Sequence, residues 1–473
     1  MVGGKLVENL LFEKSGSIAS AMHKIDINGL GIVFLVDEQN RFSGTVTDGD
    51  IRNAVQRGVR IESSAAEIAN KTPVTISEGA DKVKAVKFLL NDRSVLEKIP
   101  KYGSLKIPVL NDGHEIVDVV YLHFKEEQPA ASRTSPKHES IKKVLVIGGA
   151  GYLGSELCKQ LLECGYSVRV LDNLMCGDSG IKKIYGHENF ELVKGDMRNI
   201  TIVMDAVQDV DAVIHLAAIV GDPACKIDPR KTIEVNNFST KMIGEICKYD
   251  QINRLVFAST CSVYGASDGN DFLTEDSQLN PVSLYADMKI RSEKSLLELS
   301  DGNFSPTILR MPTLFGASNR MRFDLVINKL SAQAANGENV TISGGGQWRP
   351  FLHVRDAAKF YIQALRLPID KVGNLVVNIG SDNLNHRIGE IGEAIKRVKP
   401  SSRVVIDESD VDKRNYRVDF TLCKRVFAIE PEVTIEDGIR EILTLDKRIL
   451  NEYRAPIYSN LEIANSQREL TEG

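Results

Sequence analysis

Apolar and polar positions are patterned differently in two parts of this chain. From Ile141 to Phe257, short apolar runs rich in β-branched residues alternate with stretches of helical period. The first run, Lys143-Val-Leu-Val-Ile147, reads as a strand buried on both faces. A glycine-containing turn and a helix with Leu157, Leu161 and Leu162 follow, then a second strand at Ser167-Val-Arg-Val-Leu171. The alternation predicts an α/β fold with a doubly wound parallel sheet. After about Arg310 it becomes irregular, as expected of a smaller capping region, with Gly337 and Gly344–Gly346 in loops.

The first 125 residues show two weakly similar units. In the first, Gly31-Ile-Val-Phe-Leu-Val36 and Gly44-Thr-Val-Thr47 read as strands, with a helix over 48–57. The second runs through Pro73-Val-Thr-Ile76, a helix near Val83–Leu90, Ile107-Pro-Val-Leu110 and Val117-Asp-Val-Val-Tyr121; Asn91–Ser104 reads as an insertion. Residues 126–140, with charges, prolines and small polar residues, read as an exposed linker. The predicted organisation is therefore 1–125, a linker, a main domain 141–446 and a polar tail 447–473, which either docks on a partner subunit or frays.

Length and composition narrow the function classes. The 473 residues suffice for two or three domains. The 59 basic and 64 acidic side chains nearly cancel, and no basic stripe points to nucleic acid. No apolar run reaches the roughly 18–20 residues of a membrane span, and the N-terminus lacks a signal-peptide layout. Seven cysteines without CxxC or zinc-like spacing point to reduced thiols, a cytoplasmic location and no metal site.

The candidate chemistry begins at Gly148-Gly-Ala-Gly151-Tyr-Leu-Gly154. Gly148 permits the tight turn, Gly151 lets the backbone approach a pyrophosphate, and Gly154 lets helix pack on strand. The helix N-terminus favours the anion. Asp172 ends the next strand, where its carboxylate bonds ribose hydroxyls and repels a 2′-phosphate, favouring NAD over NADP. Farther on, Tyr285-Ala-Asp-Met-Lys289 places a phenol and an ammonium on one helix face. The ammonium is expected to lower the phenol pKa from ~10 toward neutrality, so that Tyr285 takes a proton from a sugar hydroxyl.

With His215-Leu-Ala-Ala218, Phe257-Ala-Ser-Thr-Cys-Ser-Val-Tyr-Gly265 and Arg349-Pro-Phe-Leu-His-Val-Arg-Asp356, these segments give residues 141 to about 445 a resemblance. They resemble the nucleotide-sugar epimerases and dehydratases of the extended short-chain dehydrogenase/reductase family. The resemblance implies a Rossmann-type sheet, NAD and a nucleotide-sugar substrate. It places Tyr152, Leu153, Asn173, Leu216 and Asn236 in the cofactor site with the glycines and Asp172. Asp196 and Met197 would flank the adenine, and Ala217 and Ala218 would line the path to the nicotinamide ribose. Ser239 replaces a usual glycine, and His215 reads as structural. Asp222 and Cys225 read as solvated loop residues.

The family trio would be Thr260, Tyr285 and Lys289. Arg349 would clamp the substrate diphosphate, helped by Arg414 or Arg417, although Pro350 stands where an Asp is common. Family dehydratases carry an Asp-Glu pair where Cys261 and Ser262 stand, and decarboxylating members a Glu in the second place. Neither residue here has a carboxyl group, which disfavours dehydration. Thr313 replaces the Asn of UDP-galactose-type epimerases. The resemblance thus implies an epimerase that inverts C4 through a transient 4-keto sugar, in a homodimer or higher homo-oligomer. The rivals are a nucleotide-sugar dehydrogenase or 4-ketoreductase, and a non-catalytic nucleotide sensor.

Residues 15–123 resemble a tandem cystathionine-β-synthase-type (CBS) pair, a regulatory α+β module. Thr47 and Asp50 match the hydroxyl and carboxylate that hold a ribose, so adenine nucleotide is the implied ligand. The second unit lacks a counterpart after Asp118-Val-Val-Tyr121.

Overall fold

The computed structural model describes residues 7, 9–28, 31–47, 49–51, 54, 57–80, 103–124, 141–266, 272–409 and 414–472. The expected linker 126–140, the helix at Val83–Leu90 and most of the 91–104 insertion lie outside them. Two compact units emerge, Met1–Ser135 with Arg198–Met204, and Pro136–Met197 with Asp205–Gly473. Among the described residues no helix is long and apolar enough to cross a membrane.

The N-terminal unit is built twice on one plan. Leu11–Glu13 pairs in parallel with Ile32–Val36, which turns back antiparallel along Phe42–Thr47. Ile76–Ser77, Gly103–Leu110 and Ile116–Phe124 repeat this arrangement. Both hairpins shift register at their last pair, between Leu35 and Val36 and between Val109 and Leu110. Their turns also match, with Asn40 (φ 63°) and His114 (φ 61°) each left-handed. Phe42 N–H donates to the His114 carbonyl at 2.8 Å, so the two turns meet. Apolar side chains of Ile18–Asn28 (Ile18, Ala21, Ile25) pack on Val33, Leu35 and Val46.

Thr47 and Asp50 are joined to one another in this unit. Thr47 donates its hydroxyl (2.7 Å) and its N–H (2.8 Å) to the Asp50 carboxylate, and the Asp50 backbone N–H donates back to the Thr47 hydroxyl at 3.2 Å. This reciprocal pairing is that of a helix capping box. The two groups expected to face a ribose are thus engaged structurally.

The larger unit contains a seven-stranded, all-parallel sheet of β1 (Lys143–Ile147), β2 (Ser167–Asp172), β3 (Phe190–Lys194), β4 (Ala212–His215), β5 (Arg254–Thr260), β6 (Ser305–Met311) and β7 (Val376–Asn378). Its order is 3-2-1-4-5-6-7. The order in which strands are added reverses between β1 and β4, leaving a crevice at their carboxyl ends where ligands bind in such folds. Helix α1 (Tyr152–Glu163) packs on α4 (Val354–Arg366), and α2 (Ser239–Tyr249) packs on α3 (Leu284–Glu298).

The irregular region after Arg310 forms small sheets, with Thr313–Phe315 paired to Trp348–His353 and Val340–Ser343 paired to Val404–Asp407. The polar tail, expected to dock on a partner subunit or to fray, packs within the larger unit. Tyr453 and Tyr458 meet Phe323 edge-on at 5.9 and 5.4 Å. Helix α5 (Asn460–Glu472) packs on the short helix Asp222–Ile227. The tail therefore belongs to the larger unit, because its aromatic residues fill a satellite core there.

Candidate active site

The crevice is a cavity of 950 Å³, at the upper end of the size of ligand sites. It gathers Gly148, Gly151, Tyr152, Leu153, Gly154, Asp172, Asn173, Asp196, Met197, Leu216, Ala217, Ala218, Thr260, Tyr285, Lys289, Arg349 and Arg414. Asn236 and Arg417 are not on its wall.

One end suits a dinucleotide. Gly148 is left-handed (φ 88°), and a Cβ on it would sit 2.7 Å from the Ala217 nitrogen. Gly151 is the N-cap of α1 and supplies no side-chain cap, so first-turn N–H groups are left for an anion. Asp172 accepts from Ala150 N–H at 3.0 Å and Leu174 N–H at 2.8 Å. Burial outweighs these bonds and raises its pKa above the usual carboxylate range. A small-residue turn, an uncapped helix and a carboxylate at the next strand end fit NAD.

The trio sits at the ends of β5 and the start of α3. Ser283 caps α3 by accepting from Ala286 N–H at 3.3 Å. Lys289 is buried, donates to the Ala258 carbonyl at 2.7 Å and lies 4.5 Å over the Phe257 ring. Thr260 accepts from Ser262 N–H at 3.1 Å, and its hydroxyl acts on the Tyr285 phenol, opposing the rise that burial causes. Glu293, one turn beyond Lys289, forms a 2.8 Å ion pair with Arg310 of β6 and bonds the Ser259 hydroxyl. Both ions are nearly buried, so either one left alone would be strongly destabilising. The pair ties α3 to the sheet and holds Tyr285 and Lys289 over the crevice.

The electrostatics differ from the sequence expectation. Burial pushes the Tyr285 phenol up, with the Asp222 carboxylate adding to it and Arg322 and the Thr260 hydroxyl opposing. Burial pulls Lys289 down to about 7, with Glu293 opposing. Both shifts disfavour charge, so the phenol is not poised near neutrality by the lysine alone.

Other expected residues take other roles. Asn236 is buried and makes two 2.8 Å bonds, to the N–H and the carbonyl of Ile219. It shapes the loop after β4 rather than facing the cavity. His215 Nε2 lies 3.0 Å from the Thr240 hydroxyl, which itself donates to the Asn236 carbonyl. Burial depresses its pKa to about 3. Asp222 and Cys225 are not solvated loop residues. They lie on a short helix, with Cys225 buried and Asp222 on the cavity wall, 3.4 Å from Arg414.

Arg349 donates to the Trp348 and Arg414 carbonyls and lies 5.2 Å over the Tyr416 ring. Arg414 lines the cavity beside it. Arg417 is instead sandwiched between Phe272 (4.0 Å) and Trp348 (4.6 Å), because its strand residue faces the aromatic side. Cys261 is buried, with Sγ 3.3 Å from the Arg310 carbonyl, whereas Ser262 reaches the cavity. Among the described residues no cluster of His, Cys, Asp or Glu is disposed to hold a metal.

The sequence reading missed Arg320, Arg322, Asp324, Lys329 and Asn460, which also line the cavity. The first three form a charged stretch, Arg320-Met-Arg-Phe-Asp324, just before the helix Val326–Ala335. Charges there, flanked by apolar residues, were a usable signal. Asn460 offered none.

Comparison with known proteins places these features. Residues 144–380 match the family described as NAD dependent epimerase/dehydratase. UDP-glucuronic acid decarboxylase 1 of Danio rerio is 27% identical over 370 residues, covering 75% of this chain and 85% of that protein. UDP-glucose 4-epimerase of Yersinia pestis is 28% identical over 279 residues, 54% of this chain and 82% of that one. The crystal structure of UDP-glucuronic acid 4-epimerase from Bacillus cereus with UDP-glucuronic acid and NAD superimposes with a TM-score of 0.59. Its identity is 26%, over 65% of this chain and 99% of that one.

Proposed function

The chain belongs to the NAD dependent epimerase/dehydratase family and uses NAD, and we propose that it is a nucleotide-sugar epimerase inverting C4 through a transient 4-keto sugar. The observation that carries this reading is the end of β5. There Cys261 is buried and Ser262 presents a hydroxyl, so neither supplies the carboxyl that dehydration or decarboxylation draws on.

NAD, held between the Gly148–Gly154 turn and Asp172, supplies a reversible acceptor for the hydrogen on the sugar carbon. Tyr285 takes the proton of the C4 hydroxyl, and Thr260 shares that hydrogen bond, since its hydroxyl donates and accepts at once. A phenolate in this buried setting is stable only with the Lys289 ammonium beside it. Tyr285 and Lys289 therefore act as a coupled pair. Arg349 and Arg414 bind the diphosphate of the substrate, leaving the sugar free to present its other face. The cavity volume supports this turnover.

Purified protein with a panel of nucleotide hexoses tests the reading by NMR. The expected result is an equilibrated pair of C4 epimers without added cofactor and without net change in the nicotinamide absorbance. Steady reduction of NAD would instead identify a dehydrogenase. A pentose product or a 4-keto-6-deoxy sugar would identify decarboxylation or dehydration.

We infer further that the N-terminal unit is a CBS-type regulatory module that takes an adenine nucleotide near Thr47 and Asp50. The repeated sheets and matched turns support this reading. A ligand there regulates only through unequal affinity for two states of the enzyme.

A further inference from the structure

Arg320 is a buried cation without a carboxylate partner, 3% exposed at the edge of the cofactor cradle. A Cβ built on Gly180 would lie 3.2 Å from the Arg320 Cβ and 3.1 Å from the Ser155 Cβ. Two residues earlier, the Ser318 hydroxyl donates to the Tyr152 carbonyl at 2.7 Å and lies 2.8 Å from the Ser155 hydroxyl. Tyr152 and Ser155 form the first turn of α1, so Arg320 is rooted beside that uncapped N-terminus. On its other side lies Cys176, and its charge reaches Asp172, lowering that carboxyl against burial.

Its remaining hydrogen bonds leave it unsatisfied. Nη2 donates to the Asn460 side-chain oxygen at 2.9 Å, and Nε has no partner. Asp324, the nearby acid, is held by Arg322 at 2.8 Å. Among the described residues no carboxylate is at ion-pair distance from Arg320. A buried guanidinium is costly unless an anion neutralises it, and the adjacent helix end attracts the same anion.

Asn460 is itself fixed from three sides. Its N–H donates to Asp324 at 3.2 Å, its side-chain nitrogen to the Val220 carbonyl at 3.3 Å, and it begins α5. We propose that Arg320 binds the diphosphate of the dinucleotide, aimed by Asn460, so that the C-terminal segment is a built-in clasp on the cofactor. The proposal rests on NAD binding by the family and not on C4 inversion, so the two stand or fall separately.

Calorimetry on the full-length, NAD-stripped protein tests it with NAD, ADP-ribose, adenosine and NADP. Arg320→Met should weaken NAD and ADP-ribose alike, by roughly tenfold to a hundredfold, and leave adenosine unchanged. Arg320→Lys should recover part of the loss. Asn460→Ala should weaken NAD roughly threefold to tenfold and hasten loss of co-purified NAD on dialysis. If Arg320→Met does not fold, as judged by near-UV circular dichroism, the other two variants carry the comparison. Equal losses for adenosine and NAD would overturn the proposal in favour of a packing role. Losses confined to NADP would make Arg320 a 2′-phosphate reader, and losses confined to a nucleotide sugar would assign it to substrate.

Discussion

Lys289 holds its ammonium 5.9 Å from the centre of the Tyr285 ring while donating to the Ala258 carbonyl at 2.7 Å. The two side chains are neighbours on one helix face, yet the lysine is anchored to the sheet. Burial acts on both, raising the phenol and lowering the ammonium. Burial therefore disfavours the charged form of each side chain.

Tyr285→Phe should keep the fold and the bound NAD and lose turnover by ~10²–10⁴-fold, the usual contribution of a general base. Epimer interconversion by NMR, with NAD content by absorbance, measures both. A loss under about tenfold would remove Tyr285 from the proton-transfer role.

Lys289→Met should abolish turnover and raise thermal stability at neutral pH. The folded ammonium titrates at about 7 and the unfolded one near ~10.4. Between these values the unfolded chain holds more protons, so wild-type stability rises with pH across that window. The penalty is full below pH ~7 and gone above ~10.4. Melting curves from pH 6 to 10 should therefore be flatter in the variant, and parallel curves would contradict the shift.

Asp172→Ala should weaken NAD and narrow its preference over NADP if the Asp172 carboxylate bonds the ribose and repels a 2′-phosphate. Competition binding of the two dinucleotides reads the ratio. An unchanged ratio would mean that another residue reads the ribose.

Asn236→Ala should destabilise the protein by about 1–3 kcal/mol, leaving the Ile219 N–H and carbonyl unpaired, and weaken NAD only as a consequence. Denaturant unfolding and calorimetry separate the effects. Weaker NAD binding at unchanged stability would show direct contact with the cofactor.

Asp50→Ala should remove the capping box with Thr47, at about 0.5–2 kcal/mol, and abolish the heat of adenine nucleotide binding to the NAD-saturated full-length protein. Absence of that heat in the wild type as well would leave the N-terminal unit a scaffold or dimer contact.

Short-range pattern along the chain encodes the part of this protein that is legible before folding. Apolar runs, the Gly148–Gly154 turn, Asp172 at a strand end and the Tyr285–Lys289 spacing each depend on residues close along the chain. Strand alternation announced the parallel sheet for the same reason. Everything that depends on which distant groups meet was settled by packing. It put Arg414 on the cavity and Arg417 between Phe272 and Trp348, turned Asn236 inward to Ile219, and brought Asn460 of the tail to Arg320. It also set burial against the ionised form of Tyr285, opposite in direction to the expected shift. Desolvation is a property of the packed surroundings, and no spacing of letters along the chain records how much water a side chain will lose.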